Sequence, residues 1–585
     1  MRIYLEEKIG NPDLFTGRKK EITHFLNWIN GIKQKSSKST AILSRRKTGK
    51  SALLQRLYNL TFERNEGLVP FYFEIQETDQ WIVSFSESFF LTFIYQYIAF
   101  KTRKPIYILG VPKSFNRAIE IAKAEKLDYL VDIIADVQTK QQTEQVDLLW
   151  DIVRDAPRTV AAYHDERVVQ FVDEFQFINR FIFWDKHKKN RADNLAGSYL
   201  HTAEYRNAPM LISGSWVGWL MSDLISMLPG RFKPYYMEDI PQNEAIEMIY
   251  RYSLLVGVPV TEETAYLMAN ITEGSPFYIS SLFHSMYSDK DFTTEEGVLK
   301  TLEFETLYRA GEIRGTWLEY INSAFPRINE QYAKDIVLYL SKHRDRFVPR
   351  RELKEALGLD MPDYQLDKKM DALLLSDIIE EERFQYRGVQ DNIFDKVFRG
   401  RYGHDIDQFV TEGARNEYKA LFEALKEKYK SLSGERNRYK GAFAEFMVIQ
   451  RLRLEAHQDQ ALYHSIFYNL PSNFEFVLYQ TVLPYHTFPL HEPQFQIDVF
   501  ARAKPSQVSL IGEVKHRQAK FSLKEAQEFQ KKATELIRLE QVEQAILFVF
   551  SSAGFHGNTL DFLQENGIAW SDDAHWLESS VVLPA

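Results

Sequence analysis

The segment Ser44-Arg45-Arg46-Lys47-Thr48-Gly49-Lys50-Ser51 has the composition and spacing of a phosphate-binding loop. Successive backbone N–H groups that close on a helix N-terminus offer an anion both donors and the positive end of a dipole. In such a loop Lys50 reaches the terminal phosphates and the Ser51 hydroxyl ligates magnesium. Ala41-Ile42-Leu43 reads as an apolar strand before the loop, and Ala52-Leu53-Leu54-Gln55-Arg56-Leu57 as an amphipathic helix after it. Ser44 stands where such loops carry their first glycine, and a Cβ there restricts the backbone, which predicts weaker phosphate binding.

A second chemical pair, Asp173-Glu174, closes the run Arg167-Val168-Val169-Gln170-Phe171-Val172. An unbroken run of β-branched and aromatic residues reads as a strand buried on both faces, and ligands sit at the C-terminal ends of such strands. There Asp173 is placed to hold magnesium, directly or through water, and Glu174 to polarise an attacking water. Taken alone, Asp-Glu in a solvated turn is the plainer reading. The phosphate loop upstream favours the catalytic one.

A third constellation lies near the C-terminus. Phe495-Gln496-Ile497-Asp498-Val499-Phe500 and Val508-Ser509-Leu510-Ile511-Gly512-Glu513-Val514-Lys515 read as a hairpin around Lys504-Pro505-Ser506. Alternation puts Glu513 and Lys515 on one face. A hairpin centred between Pro505 and Ser506 sets Asp498 opposite Glu513, with facing Cβ atoms about 5 Å apart, so both carboxylates can share a divalent cation. Such a cation polarises a phosphodiester and acidifies its water, while Lys515 orients that water or stabilises the developing charge. Surface hairpins carry such charges for solubility too, but Asp498 and Glu513 sit within apolar runs that a solvated face does not need.

The elements that must position these groups follow from periodicity. Residues 1–240 alternate strands and helices, which predicts an α/β core with a doubly wound parallel sheet, with extra helices at 80–100 and 115–155. From Pro241 the pattern turns helical (Asn243–Leu255, Glu262–Asn270, Pro276–Tyr287), a lid within 241–330. Residues 331–405 read as three helices and a two-stranded hairpin. Their apolar faces are Tyr332, Ile336, Val337 and Leu340; Leu353 and Leu357; and Leu366, Met370, Leu373 and Leu374. The third helix carries Asp363, Asp367 and Asp371 against Lys368 and Lys369, and the hairpin carries Glu380, Glu381 and Glu382. A groove-reading helix is basic, so this part reads as a structural or protein-contact module. A Lys-rich helical linker occupies 406–433, and 434–585 is the last domain.

These motifs resemble two known families. Phe15-Thr16-Gly17-Arg18-Lys19-Lys20-Glu21, the phosphate loop, Asp173-Glu174, Leu211-Ile212-Ser213-Gly214-Ser215, Leu228-Pro229-Gly230-Arg231 and Glu273-Gly274-Ser275-Pro276-Phe277 are similar, in order, to the boxes of archaeal-type P-loop ATPases, relatives of the STAND signalling NTPases. The resemblance implies ATP with Mg2+, an adenine-side position for the first box, and Ser215 at a strand end that senses the γ-phosphate. It also implies a lid turn at Gly274 and a winged helix over 331–405. Arg231 remains open between a finger in a neighbouring subunit's site, a lid-facing sensor and a surface residue. The C-terminal hairpin resembles the PD-(D/E)xK nuclease superfamily, a restriction-endonuclease-like α/β fold. Gly441-Ala442-Phe443-Ala444-Glu445-Phe446 is similar to that superfamily's first helix, whose Glu445 would join the metal site. Leu523–Leu539 and Ala545–Phe550 continue the αβββαβ order, and Ile497 replaces a frequent proline.

Composition narrows the classes. A chain of 585 residues suggests three or four domains. The absence of cysteine excludes disulfides and thiolate metal sites and fits a reducing cytoplasm. Met1-Arg2-Ile3-Tyr4-Leu5-Glu6-Glu7-Lys8 has no apolar core of a signal peptide, and the apolar stretch Phe89–Phe100 is too short to span a bilayer, so no membrane role is expected. Net charge is −9, yet residues 33–50 hold seven Lys or Arg and no acid, 426–454 eight against three, and 515–540 seven against four. Local fields of this kind attract DNA, although Lys-rich helix surfaces are common in themselves. Together the resemblances imply a cytoplasmic ATPase that controls a metal-dependent nuclease-like domain on DNA, alone, as a homo-oligomer or with a protein partner. The alternative is a signalling ATPase whose C-terminal domain binds nucleic acid or protein without cutting.

Overall fold

The computed structural model describes residues 4–143, 146–163, 165–214, 230–328, 332–406, 411–431, 436–487 and 491–578. They form two compact units. The first comprises Met1–Pro241, Glu273–Ser281 and Phe304–Ala414, and the second Gln242–Thr272, Leu282–Glu303 and Arg415–Ala585. The expected 241–330 lid is therefore divided between the units, and most of the expected 406–433 linker belongs to the second. Helical periodicity reports that a face is buried but not what buries it.

The first unit is built on a five-stranded sheet of β1 (Thr40–Leu43), β2 (Leu68–Glu74), β3 (Arg167–Asp173), β4 (Met210–Gly214) and β5 (Lys233–Tyr236). Its order is β2-β3-β4-β1-β5 and every pairing is parallel. β1 is buried throughout and β3 in all but its first residue, as strands covered on both faces must be. Gln170 sits in that apolar run because its Nε2 donates to the Ala208 carbonyl at 2.8 Å. Helices α1 (Lys19–Lys33) and α2 (Lys50–Arg64) flank β1 in sequence. Helix Ile82–Thr102 covers β2, with Phe89 and Phe93 meeting the Phe71 ring edge-on at 5.1 and 5.3 Å. At 21 residues it is longer than the apolar stretch suggested and long and apolar enough to cross a membrane, but 78% of its 18-residue apolar window, of mean hydropathy 1.2, is buried in the protein.

Residues Ala333–Lys342, Arg350–Leu357 and Asp363–Leu375 form three helices, followed by the hairpin Ile379–Glu382 and Gln385–Gly388. A third strand, Val348–Pro349, pairs with Gln385 and Tyr386. Two residues are too few to leave a periodic signal.

The second unit carries α3 (Gln242–Val256), α4 (Arg436–Leu454) and α5 (Leu523–Glu540) around β6 (Thr481–His486), β7 (Gln496–Arg502), β8 (Ser509–Lys515), β9 (Ala545–Ser551) and β10 (Ala569–Ser571). The strands lie in sequence order, antiparallel from β6 to β8 and parallel from β8 to β10. Gly512 is required where β8 meets β9, since a Cβ there would lie 2.2 Å from the Phe548 ring.

Candidate nucleotide and metal sites

The loop between β1 and α2 folds around its own lysine. Lys50 Nζ donates to the Ser44 carbonyl (2.9 Å), the Ser44 hydroxyl (3.0 Å) and the Arg45 carbonyl (2.7 Å). Burial pushes the ammonium down to about 8, opposed by the charges of Glu174 and Asp173. Left-handed backbone falls at Lys47 (φ 67°) and Gly49 (φ 90°), and Ser44 is not among the positive-φ residues. The expected penalty for serine at position 44 thus has no backbone basis, and its hydroxyl serves as a lysine acceptor. Ser51 lies in the first turn of α2.

Parallel pairing brings the C-terminal ends of the strands to this loop. Leu43 pairs with Gly214 of β4, and Asp173 with Glu74 of β2. Asp173 is 1% exposed. It accepts from the Tyr72 hydroxyl at 3.0 Å, from the Ser213 hydroxyl, and from the backbone N–H of Glu174 at 3.0 Å. Glu174 has left-handed backbone (φ 53°) and accepts from Gln176 Nε2. Tyr72 escaped sequence reasoning, since a tyrosine between Phe71 and Phe73 reads as core.

Other motif residues tie the loop in place. Arg18 donates to the Thr48 carbonyl at 2.7 Å and to the Glu238 carbonyl, which links the Phe15–Glu21 box to the loop and to the segment after β5. Gly274 (φ +72°) accepts from the Ile240 N–H at 3.1 Å, and a Cβ there would lie 2.1 Å from the Ile240 oxygen. The loop's remaining cations are held by residues distant in sequence. Arg45 meets Asp391 at 3.2 Å, and Asp391 also accepts from the Tyr278 hydroxyl at 2.7 Å. Arg46 lies over the Tyr320 ring and Lys47 over that of Phe277.

Arg231 requires a correction as a residue of its own nucleotide site. It pairs with Glu204 at 3.1 Å and stands two residues before β5, whose Lys233 lies beside Thr40 at the start of β1. That is the edge of the sheet opposite the phosphate loop. Ser215 and Leu228-Pro229 lie outside the described residues.

In the second unit β7 and β8 pair Val499 with Gly512, Phe500 with Ile511 and Ala501 with Leu510, a register that sets Asp498 against Glu513. The ladder stops there. Asp498 Oδ2 takes the Val514 N–H instead (2.9 Å) and accepts from Lys515 Nζ at 3.1 Å. Lys515 also meets Glu513 Oε1 at 2.7 Å. Glu513 Oε2 is buried without a hydrogen-bond partner. Burial, then the Asp498 charge, raises the carboxyl of Glu513 and pushes that of Glu445 on α4 up to about 9. Burial opposes the charge of Lys515, but Asp498 and Glu513 outweigh it and hold the ammonium above its usual range. Among the described residues no group of three or more His, Asp or Glu is arranged to hold a metal ion.

Much of the expected basic surface is already paired. Arg451 is 1% exposed and bonds Glu455 at 2.6 Å and the Glu578 carbonyl at 2.8 Å. Lys426 meets Glu295, Arg517 meets Glu525, and Arg538 meets Glu535. In the Asp363–Leu375 helix, Asp363 and Asp367 pair with Lys354 and Arg350. Of these, Arg451 is turned inward and withdrawn from a polyanion, whereas Arg517 and Arg538 keep exposed side chains in weak surface pairs.

The fold and loop define an α/β protein with a parallel sheet and a phosphate loop at its C-terminal edge. No protein-family model matches the chain, and no curated protein is similar to it in sequence. Solved structures similar to it include a Walker-type ATPase of Pyrococcus abyssi (15% identity, TM-score 0.44), aligned over 68% of this chain and 100% of that one. The RuvB Holliday junction branch migration motor of Thermotoga maritima aligns at 12% identity and TM-score 0.32, over 69% and 97% of the two chains. The ORC2 protein of Aeropyrum pernix in its ADP form aligns at 13% and 0.35, over 68% and 98%. All three TM-scores are below 0.5, so the assignment rests on the loop's own geometry.

Proposed function

We propose that the chain binds and hydrolyses ATP in its first unit and thereby controls a metal-dependent, nuclease-like C-terminal domain acting on DNA in the cytoplasm. The observation that carries the ATP half is Lys50, buried among neutral loop acceptors at the N-terminus of α2, with Asp173 and Glu174 at the C-terminal end of β3, one strand removed from β1. A phosphate chain offers that ammonium full negative charges in place of carbonyl dipoles. Hydroxyl and carboxylate oxygens suit Mg2+, which Ser51 and Asp173 would hold beside the phosphates. Glu174 orients and deprotonates the attacking water.

The C-terminal half of the reading is supported by the unpartnered Glu513 Oε2 beside Asp498 and Glu445. An oxygen donor set short of positive charge fits a hard divalent cation, which when bound supplies Lewis acidity and an acidified water. Lys515 stabilises charge on the phosphodiester. The three helices and three strands of 333–388 suit a winged helix that contacts protein. Arg231 retains one nucleotide role, as a finger in a neighbouring copy's site. The alternative, a signalling ATPase whose C-terminal domain binds without cutting, is favoured by the lack of a three-residue metal group among the described residues.

Phosphate release and cleavage of linear, branched and single-stranded DNA, with Mg2+ or Mn2+ and with or without ATP, test both halves. Lys50→Ala should lose ATP binding, and Glu174→Gln should keep it but lose turnover by about a hundredfold. Asp498→Ala, Glu513→Ala and Lys515→Ala should each abolish cleavage. Parent-like hydrolysis in both the Lys50 and the Glu174 variant refutes the ATPase half; a parent that cuts none of the DNAs leaves the signalling alternative.

A further inference from the structure

Helix α3 precedes the C-terminal domain by some 180 residues of sequence, yet it packs on α4 within the second unit. The Tyr250 ring stacks on Phe446 at 4.7 Å and lies 6.2 Å from Phe443. These two phenylalanines bracket Glu445. Tyr439 donates to Gln242 at 3.2 Å and fixes the other end of the contact. Residues three apart share a helix face, so Glu247 stands beside Tyr250 on the side of α3 that faces α4. Glu247 also lies 3.8 Å from His486, at the end of β6, the strand next to the one that carries Asp498. It is half-buried and paired with Arg251 at 2.9 Å.

We propose that Glu247 belongs to the C-terminal carboxylate site as an acidic positioning residue, supplied by a helix outside that domain's own sequence, and that it strengthens the site's hold on a divalent cation. This inference rests on the reading of Asp498, Glu513 and Glu445 as a cation site. Glu247 is held between α4 and β6, which carry or adjoin the ligands, and it adds negative charge to a cluster in which Lys515 neutralises only part. The segment before α3 is tied to the nucleotide unit through the Ile240–Gly274 hydrogen bond, so the residue that tunes the cation site is close in sequence to the nucleotide-binding part.

Calorimetric titration of Mn2+ into the full nucleotide-free chain tests this, with Asp498→Ala as reference. Glu247→Gln should weaken Mn2+ by about fivefold to tenfold, the effect of one unit charge acting across several ångströms of partly buried protein, and the loss should shrink in high salt. Glu247→Asp keeps the charge and should stay within about twofold of the parent, which a purely structural role would not allow. If the parent binds, Asp498→Ala does not, and Glu247→Gln matches the parent, this inference alone is overturned. If the parent gives no binding heat, the cation reading falls and this inference with it.

Discussion

Lys50 supplies a quantitative expectation about nucleotide binding and pH. Its ammonium is held at about 8 because the loop offers carbonyl and hydroxyl acceptors while burial removes water. A bound triphosphate favours the charged form, so binding raises the pKa and draws in a proton wherever the free lysine is deprotonated. The sign follows: affinity is complete below pH 8 and is lost as pH rises through it. With only the protonated form competent, the fraction available falls from about nine-tenths at pH 7 to about one-tenth at pH 9, a tenfold loss of affinity or about 1.4 kcal/mol. Asp239 at about 6 and Glu273 at about 7, both raised first by burial and then by Asp391, finish titrating near the lower edge of this window. Lys50→Arg separates them, since arginine keeps its charge throughout and its affinity should be flat from pH 7.5 to 9. Calorimetry of ADP binding in two buffers of different ionisation enthalpy reads both affinity and proton uptake. Parent affinity that is equal at pH 7 and 9, with no proton uptake at pH 8.5, refutes this account of the loop.

Two further expectations concern what holds the loop. Gly274→Ala combines a left-handed backbone with a Cβ 2.1 Å from the Ile240 oxygen, and should lower stability by about 2–4 kcal/mol, read as a drop in urea midpoint. Asp391→Ala removes the ion-pair partner of Arg45 and the acceptor of the Tyr278 hydroxyl and of the Ile393 and Phe394 N–H groups; about 3 kcal/mol is expected, again by urea unfolding.

What could be read in the sequence was local. The phosphate loop, the β3 strand ending at Asp173 and the β7–β8 register all follow from strand alternation, helix starts and a tight turn at Ser506, rules that span few residues. The register reached Glu513 from Asp498 by counting, but not the end of the ladder there, because whether two strands part depends on which side chain takes the Val514 N–H. The partners of Arg45, Arg46 and Lys47 were hidden for a different reason. Asp391, Tyr320 and Phe277 are ordinary residues in three separate elements, and only packing gives them a role. Local charge counts failed in the same way. A count along the sequence assigns Arg451 to a basic surface, whereas the fold turns it inward to Glu455.

The two candidate sites each retain a lysine, and the chemistry of its partners separates them. Lys50 is satisfied by neutral groups, so an arriving phosphate replaces weak acceptors with charged ones and gains from the exchange. Lys515 is satisfied by Asp498 and Glu513, the carboxylates a cation would need. An arriving metal must share them with an ammonium already in place, against charge repulsion in a buried setting. Nucleotide binding is therefore expected to be the intrinsically favourable event. On the proposed reading, the C-terminal site holds its cation less tightly than the same carboxylates would without Lys515, and negative charge nearby strengthens that hold.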